Sequence, residues 1–328
     1  MIEVSVVIPV YNEGKYIEKC MQSILEQDFP KDRMEVLFVD GMSDDGTLDV
    51  LKGYQEKYPW VRVLKNEKRI IPSALNIGIK EAAGEIIVRM DAHSEYANDY
   101  ISKSVEVLNK TGMDNVGGPQ ITKGKSRKQR SIAAAYSSVF AVGSGKHFRK
   151  DYEGVIDTVF LGTFRKSFAE KMGLYDENMP RNEDDEFNFR IAQKGGKVYM
   201  SPDIKVVYYP RESYGALAKQ YFGYGKGKPS VNKKHKKLTN FKQIIPSLFV
   251  LFILFGFLSS AAFALFAGFY VPGMVFGGIL FLYLLTNLIF SFTNKEVHGF
   301  VEKIGLFWTH IVMHVSYGVG YIIGIFSK

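Results

Sequence analysis

The chain has 328 residues, 46% of them hydrophobic and 23% charged, with a formal net charge of +8 and a single cysteine, Cys20. One cysteine excludes an intramolecular disulfide and a cysteine-built zinc site, and the length suggests about two domains. Apolar residues are unevenly spread: residues 1–240 read as a soluble α/β segment, and the stretch beyond is almost bare of charge.

In chain order, residues 3–10 read as a buried strand that stops at Tyr11, Asn12, Glu13 and Gly14. A helix is predicted over 15–27, with Ile17, Cys20, Met21, Ile24 and Leu25 on its inner face. This strand–turn–helix opening has neither Gly-x-Gly-x-x-Gly nor a Walker lysine, which argues against a Rossmann dehydrogenase or a P-loop enzyme. Residues 34–40 give a second strand ending at Asp40. Asp45-Gly46 is a turn, and Thr47 starts a helix over 48–57. A third strand covers 61–64, and a helix over 72–83 leads to Ile86, Ile87 and Val88, a β-branched run without alternation. Such a run suits a strand covered on both faces, and the βα alternation predicts a parallel sheet with helices on both sides.

Polarity begins where that last strand ends, at Asp91 and His93. Ligands of open α/β sheets collect outside the carboxyl ends of strands. A carboxylate and an imidazole two residues apart can approach one divalent cation, which would neutralise a diphosphate. The plainer alternative makes Asp91 a helix cap and His93 a surface residue. Further on stand four consecutive acids, Glu183, Asp184, Asp185 and Glu186, ahead of a helix predicted over 185–194. Like charges repel unless a cation or a chemical task accounts for them, the alternative being a solvated helix start. The basic stretch 123–130 reads as a solvated loop or as a contact for lipid head groups or an anionic acceptor.

Segments 244–268 and 273–293 carry no charge and are long enough to cross a bilayer as a hairpin. Segment 304–326 contains His310 and His314. It is a third span, the preferred reading, or a helix lying in the interface, and its histidines are expected to pack against neighbouring helices. Lys219, Lys226, Lys228, Lys233, Lys234, Lys236 and Lys237 precede the first span, with no acid between Glu212 and it. The positive-inside rule and a start without a signal peptide place the large domain in the cytosol, so the positive charge is a membrane signal and no nucleic-acid partner is expected.

Five blocks then line up in order: Pro9-Val10-Tyr11-Asn12-Glu13; Val39-Asp40-Gly41 with Ser43 and Asp45-Gly46-Thr47; Ala74-Leu75-Asn76 with Gly78; Ala83-Gly84-Glu85; and Asp91-Ala92-His93. Together they resemble the successive blocks of family 2 glycosyltransferases, inverting enzymes with the GT-A fold, over roughly residues 3–225. Met90-Asp91-Ala92-His93 and Gln220-Tyr221-Phe222 with Tyr224-Gly225 look most like the membrane-anchored glucosyltransferases of succinoglycan-type exopolysaccharide assembly.

The resemblance implies an α/β, Rossmann-like GT-A domain over 1–240 and a membrane domain over 241–328. By motif match Pro9, Tyr11, Glu13 and Asp40 hold the nucleotide base, usually uracil, and Asn76 also falls to the donor. Asp91 binds the donor and, with His93 where the family usually shows an acid, holds Mn2+ or Mg2+; imidazole suits Mn2+ better. Asp184 is the general base and Glu183 orients it, with Arg190 pairing to the acids. The Gln-x-x-Arg-Trp of processive members is missing, which disfavours a polymer-channel synthase, and Lys226 or Lys228 stands in for its arginine at the diphosphate. The expected reaction moves a sugar from a nucleotide-diphosphate sugar, a UDP-sugar such as UDP-glucose, to a lipid-linked glycan at the cytosolic face of the plasma membrane. The protein is expected there as a multi-pass member of exopolysaccharide or cell-surface glycan synthesis, assembling with other glycan-synthesis proteins. The rivals are a polyprenyl-phosphate glycosyltransferase and a non-catalytic nucleotide-sugar-binding membrane subunit.

Overall fold

The computed structural model describes residues 1–142, 149–238 and 241–327. The opening elements are β1 (Val4–Val10), α1 (Ile17–Leu25), β2 (Met34–Asp40), α2 (Thr47–Lys57), β3 (Val61–Lys65), α3 (Ile71–Glu81) and β4 (Ile86–Arg89), each bound within two residues of its predicted place. Then come β5 (Ser94–Tyr96), α4 (Tyr100–Thr111), β6 (Asn115–Gly118), β7 (Gln120–Thr122), α5 (Arg127–Ser137), α6 (Val139–Val142), β8 (Gly154–Ile156), β9 (Phe160–Arg165) and α7 (Lys166–Met172). The rest are α8 (Glu183–Gln193), β10 (Val198–Met200), β11 (Val206–Tyr208), α9 (Tyr214–His235), a 3-10 turn Phe241–Ile244, α10 (Ile245–Ala267), α11 (Val271–Thr293) and α12 (Phe300–Phe326). They fall into two units, Met1–Ile121 with Lys146–Tyr208, and Thr122–Gly145 with Tyr209–Lys328. The expected domain limit at 240 lies outside the described residues, as does residue 328.

The first unit is built on an eight-stranded sheet in the order β3-β2-β1-β4-β9-β6-β10-β8. Its first four strands are parallel, as the alternation predicts. The other half is mixed: β9 runs antiparallel to both β4 and β6, and β8 antiparallel to β10. A parallel partner needs a crossover that carries the chain back to the strand starts. Here β9 begins opposite the end of β6, Phe160 against Gly118, so it must run back.

Alternation along β1 sends Val4, Val6, Ile8 and Val10 into one core with Ile17, Met21 and Ile24 of α1 and Tyr100 of α4. Val7 faces the other core, with Leu37, Val39, Leu75, Ile79, Phe187 and Ile191. Each such fully buried side chain contributes roughly 1.5–3 kcal/mol, which is why these strands read as unbroken apolar runs. Gly84 lets β4 start against β1, since a Cβ there would lie 2.7 Å from the Ser5 nitrogen. Cys20 is buried in α1, and burial first, then the charges of Asp91 and Glu13, push its thiol up to about 12. It is a packing residue, as expected.

Among the described residues of the second unit three helices are long and apolar enough to cross a membrane: Phe241–Phe266, Val271–Thr293 and Phe300–Phe326. His310 and His314 pack between helices: His310 Nδ1 lies 2.7 Å from Asn287 Oδ1, and His314 meets the Tyr283 hydroxyl at 3.0 Å and the Phe140 carbonyl at 3.0 Å. Helices α9 and α12 meet through glycines, with Gly225 against the Tyr317 carbonyl and Gly320 against the Phe222 carbonyl. A Cβ at either would come within 2.1 or 2.2 Å of those oxygens, so only glycine permits backbones this close.

Candidate active site

In the first unit the neighbour order reverses at β1, whose partners are β2 on one side and β4 on the other. The carboxyl ends of these strands therefore open a crevice. Asp40 closes β2 and is 2% exposed. Its Oδ2 accepts from the N–H groups of Met42 at 3.0 Å and Ser43 at 3.1 Å, and its Oδ1 from the Ser43 hydroxyl at 2.6 Å. Ser43 Oγ accepts in turn from the Asn12 N–H at 2.9 Å. Asn12, in the left-handed region at φ 54°, exchanges two hydrogen bonds with Asp44, at 2.9 and 3.0 Å. Asp45 accepts from the Thr47 hydroxyl at 2.5 Å and the Gly14 N–H at 2.9 Å, and these hold its carboxyl below the usual range.

The two loops are thereby locked together. Pro9 pairs in register with Val39 just behind them. Tyr11 is left 46% exposed, with the Arg69 guanidinium 5.9 Å from its ring centre. Arg69, which sequence reasoning missed, sits at φ 55°, a conformation non-glycine residues hold mainly where the surroundings impose it.

At the end of β4, the Asp91 N–H donates to the Tyr96 hydroxyl at 2.6 Å and that hydroxyl donates back to the Asp91 carbonyl at 3.1 Å. His93 Nδ1 lies 3.1 Å from Glu13 Oε1, and the ring centres of Tyr16 and Tyr208 are 6.4 and 6.2 Å from that of His93. The Asp91 and His93 side chains are both partly exposed, at 20% and 32%. Among the described residues no three His, Cys, Asp or Glu side chains gather into a closed cage. A carboxylate plus an imidazole backed by a second carboxylate nevertheless fits Mn2+ or Mg2+ of the kind that takes its other ligands from phosphate and water.

Arg89, the last residue of β4, is buried behind Asp91. Its Nε is 3.7 Å from Asp91 Oδ1 and its Nη2 donates to Glu183 Oε1 at 3.4 Å. Burial opposes its charge, but Asp91 and Glu183 outweigh burial and keep it protonated. Asn182 enters α8 at φ 62°, and α8 starts two residues earlier than predicted, so Glu183 and Asp184 both lie in its first turn. Burial, and then the Asp184 charge, push the Glu183 carboxyl up to about 7 against the pull of Arg89. Asp184 is half-buried, and its Oδ1 accepts from the Asp185 N–H at 2.8 Å.

Arg190 forms the expected ion pair with the acid run through its last member, Glu186, at 2.8 Å, and also binds the carbonyls of Met172 and Leu174 at 2.5 and 2.6 Å. One helical turn brings Arg190 to Glu186, whereas Glu183 is two turns away. Arg89 holds Glu183 instead. Asn76 is buried, its amide donating to the Tyr175 carbonyl at 2.9 Å and to Glu177 at 3.0 Å and accepting from the Tyr175 N–H at 2.9 Å. The structure thus brings Tyr11, Glu13, Asp40, Asp91, His93, Glu183 and Asp184 into the first unit's loops at the sheet edge, and carries Lys226, exposed on α9, in the second unit.

The sequence model of "Glycosyl transferase family 2" matches residues 5–173. The chain is similar to "Succinoglycan biosynthesis protein ExoA" of Rhizobium meliloti (strain 1021), 33% identical over 243 residues that cover 74% of this chain and 73% of that protein. It is also similar to "Dolichyl N-acetyl-alpha-D-glucosaminyl phosphate 3-beta-D-2,3-diacetamido-2,3-dideoxy-beta-D-glucuronosyltransferase" of Methanococcus voltae, 34% identical over 241 residues, covering 70% and 74%. Among solved structures, mannosyltransferase PcManGT from Pyrobaculum calidifontis in complex with GDP-Man and Mn2+ matches with TM-score 0.66 at 20% identity over 99% of this chain and 88% of that one. Residues 1–349 of S. aureus TarS in complex with UDP-GlcNAc match with TM-score 0.53 at 14% identity, over 98% and 91%. At these identities the two structures speak for the fold. With a family match over half the chain, relatives above 30% identity and this sheet and crevice, the chain belongs to glycosyl transferase family 2 and has its GT-A fold.

Proposed function

We propose that the chain is an inverting glycosyltransferase that moves a sugar from a nucleotide-diphosphate sugar, a UDP-sugar, to a hydroxyl of a lipid-linked glycan at the cytosolic membrane face, in exopolysaccharide or cell-surface glycan synthesis. The observation that carries this reading is the single buried guanidinium of Arg89 between Asp91 and Glu183, which ties the donor-side carboxylate to the acid pair. A nucleotide-binding subunit without chemistry has no use for that tie. The names of the two relatives, one in succinoglycan biosynthesis and one acting on a dolichyl phosphate sugar, support a lipid-linked acceptor.

Tyr11 offers an exposed ring for the base, with Arg69 over it, and Asp40 fixes the loop beneath. Glu13 holds the His93 ring in one orientation. A divalent cation at Asp91 and His93 would neutralise the leaving diphosphate, and the Mn2+ in the PcManGT complex supports this. Asp184 removes the proton from the acceptor hydroxyl, and the oxygen attacks the anomeric carbon from the face opposite the diphosphate, so an α-linked donor yields a β-linked product. Asn76 keeps the 175–177 loop in place.

The test is a donor screen with membranes containing the protein, reading nucleoside diphosphate release with and without lipid extract. Release that depends on the extract, with an extended oligosaccharide as product, supports the proposal. A polyprenyl-phosphate sugar as product would make the lipid phosphate itself the acceptor. Chelator should abolish turnover and Mn2+ should restore it at least as well as Mg2+; full turnover in chelator would remove the cation from the mechanism.

A further inference from the structure

The third apolar helix, α12, has company that a membrane-crossing helix does not keep. It runs beside α9 in the same direction: Phe222 meets Gly320, Lys226 meets Gly324, and Lys233 Nζ donates to the carbonyls of Ile325 at 2.7 Å and Ser327 at 3.2 Å. At its other end Tyr214 of α9 donates to the Gly305 carbonyl at 3.1 Å. Helix α9 carries Lys219, Lys226, Lys228, Lys233 and Lys234, and no acid occurs between Glu212 and Glu296. At ~1.5 Å per residue α12 is about 40 Å long, enough to cross a hydrocarbon layer of roughly 30 Å. Crossing would carry the lysines of α9 with it, at about 2.5–3.5 kcal/mol for each one near the midplane.

The contacts of α12 with the α10–α11 hairpin fall at one end of that hairpin. Phe300 meets the ring of Phe292 at 5.9 Å, Asn287 donates to the Phe307 carbonyl at 3.1 Å, His314 meets Tyr283 at 3.0 Å, and Gly318 abuts Pro246 and Val250. The ring of Tyr283 lies 4.2 Å from that of Phe249, so these points fall in the half of the hairpin away from its turn, the first turns of α10 and residues 283–292 of α11. The hairpin continues from there through Phe252 and Phe276 to Phe263 and Phe269, where Leu265 and Phe266 are 80% and 90% exposed.

Helix α12 also carries Trp308, 53% exposed, a side chain suited to the head-group boundary. Its first turn is clamped to the basic turn that opens α5: Arg130 donates to Glu302 at 2.6 and 2.8 Å, and the Ser131 hydroxyl donates to the Glu302 carbonyl at 2.9 Å. The lysines and arginines at 123, 125, 127, 128 and 130 are all exposed, and no acid occurs between Asp114 and Asp151. Arg127 and His298 line a cavity of about 540 Å³ there, next to exposed Phe300 and Val301. Cations above and exposed apolar side chains beside them match the layering of an anionic lipid surface.

We propose that α9, α12 and the basic turn before α5 form a platform lying in the head-group layer of an anionic bilayer, that only the α10–α11 hairpin crosses it, and that both ends of the chain are therefore on one side. Three crossings would put the two ends on opposite sides, so the parity of the spans is a direct readout and is independent of donor, acceptor and catalysis. The experiment fuses either a fluorescent protein or alkaline phosphatase after the last residue of the full chain in a bacterium, with immunoblots confirming intact fusions. In parallel, Tyr270→Cys in a Cys20→Ser background is labelled with a membrane-impermeant maleimide from outside the cell. The expected result is a fluorescent C-terminus, an inactive phosphatase and external labelling of Tyr270→Cys. An active phosphatase with a dark fluorescent fusion means that α12 crosses and overturns the proposal, as does a Tyr270→Cys that labels only after the membrane is permeabilised.

Discussion

Two clusters of acids in the first unit are built on opposite plans. The loops after β1 and β2 hold Asp40, Asp44 and Asp45 in short hydrogen bonds from N–H and hydroxyl groups of the loops themselves. The turn into α8 holds Glu183 by one longer contact, 3.4 Å to Arg89, and adds Asp184 beside it. Donated hydrogen bonds stabilise the charged form of a carboxylate, and they hold the Asp45 carboxyl of this frame below its usual range. Burial and a like charge do the reverse, so the second keeps a proton exchangeable near neutrality. The difference assigns tasks: the frame positions the donor, and the acid pair handles the proton.

The sharpest way to break this division is Asp184→Asn, which keeps size and hydrogen bonding while removing basicity. Turnover should fall by roughly two to four orders of magnitude with nucleotide affinity retained, the usual loss for a positioned acid–base group. Asp185→Asn is the control, because adjacent helix positions point about 100° apart. Near-normal turnover in Asp184→Asn with a dead Asp185→Asn would move the base by one residue. Next in size is Arg89→Met, which leaves two carboxylates facing each other in a buried site and should lower unfolding stability by about 3–5 kcal/mol. Adding Glu183→Gln should recover part of that loss, since the residues share one contact. Strictly additive losses in the double variant would mean that the guanidinium and Glu183 do not interact.

The frame was legible in the sequence and the coupling was not. Tyr11, Asp40 and Asp91 stand where unbroken β-branched runs end, and strand ends are where a doubly covered sheet presents ligands. Arg89 was in plain view as the one charge within Ile86-Ile87-Val88-Arg89-Met90. Its direction depends on strand alternation and on a pairing with β1, and a sequence does not give which distant acid waits behind the sheet. The pairing of Arg190 to the acid run was legible too, and helical spacing alone picks Glu186 as its partner. For α12, hydropathy gives length and apolarity, but the lysine-bearing neighbour that separates an interfacial helix from a span comes from far along the chain.

A smaller effect sharpens the contrast through pH. Because the Glu183 carboxyl is raised from 4.5 to about 7 in the folded protein, its contribution to stability is fully present below about pH 4.5 and is lost as the pH rises through about 7. The span corresponds to roughly 3 kcal/mol at most. Thermal unfolding of purified protein between about pH 5 and 8 should show stability falling with pH, and Glu183→Gln should remove most of that slope. Identical slopes in the two proteins would place the titrating group elsewhere.

The smallest expected effect tests the frame itself. Asn12→Ala deletes the two hydrogen bonds to Asp44 and puts alanine at φ 54°, a conformation asparagine tolerates better. The pair is exposed, so the loss of stability should be about 1 kcal/mol, well below that of Arg89→Met. Its consequence should appear mainly in KM for the donor, because Asn12 also donates its N–H to Ser43, the residue that closes on Asp40 beneath Tyr11. Asn12→Gly separates the causes: it loses the same side-chain bonds but adopts the positive φ freely, so it should fall between wild type and Asn12→Ala in donor KM if conformation contributes. Turnover at saturating donor should stay near wild type in both, since neither substitution touches the acid pair. A loss of kcat as large as that of Asp184→Asn would show that the two clusters are not divided by task.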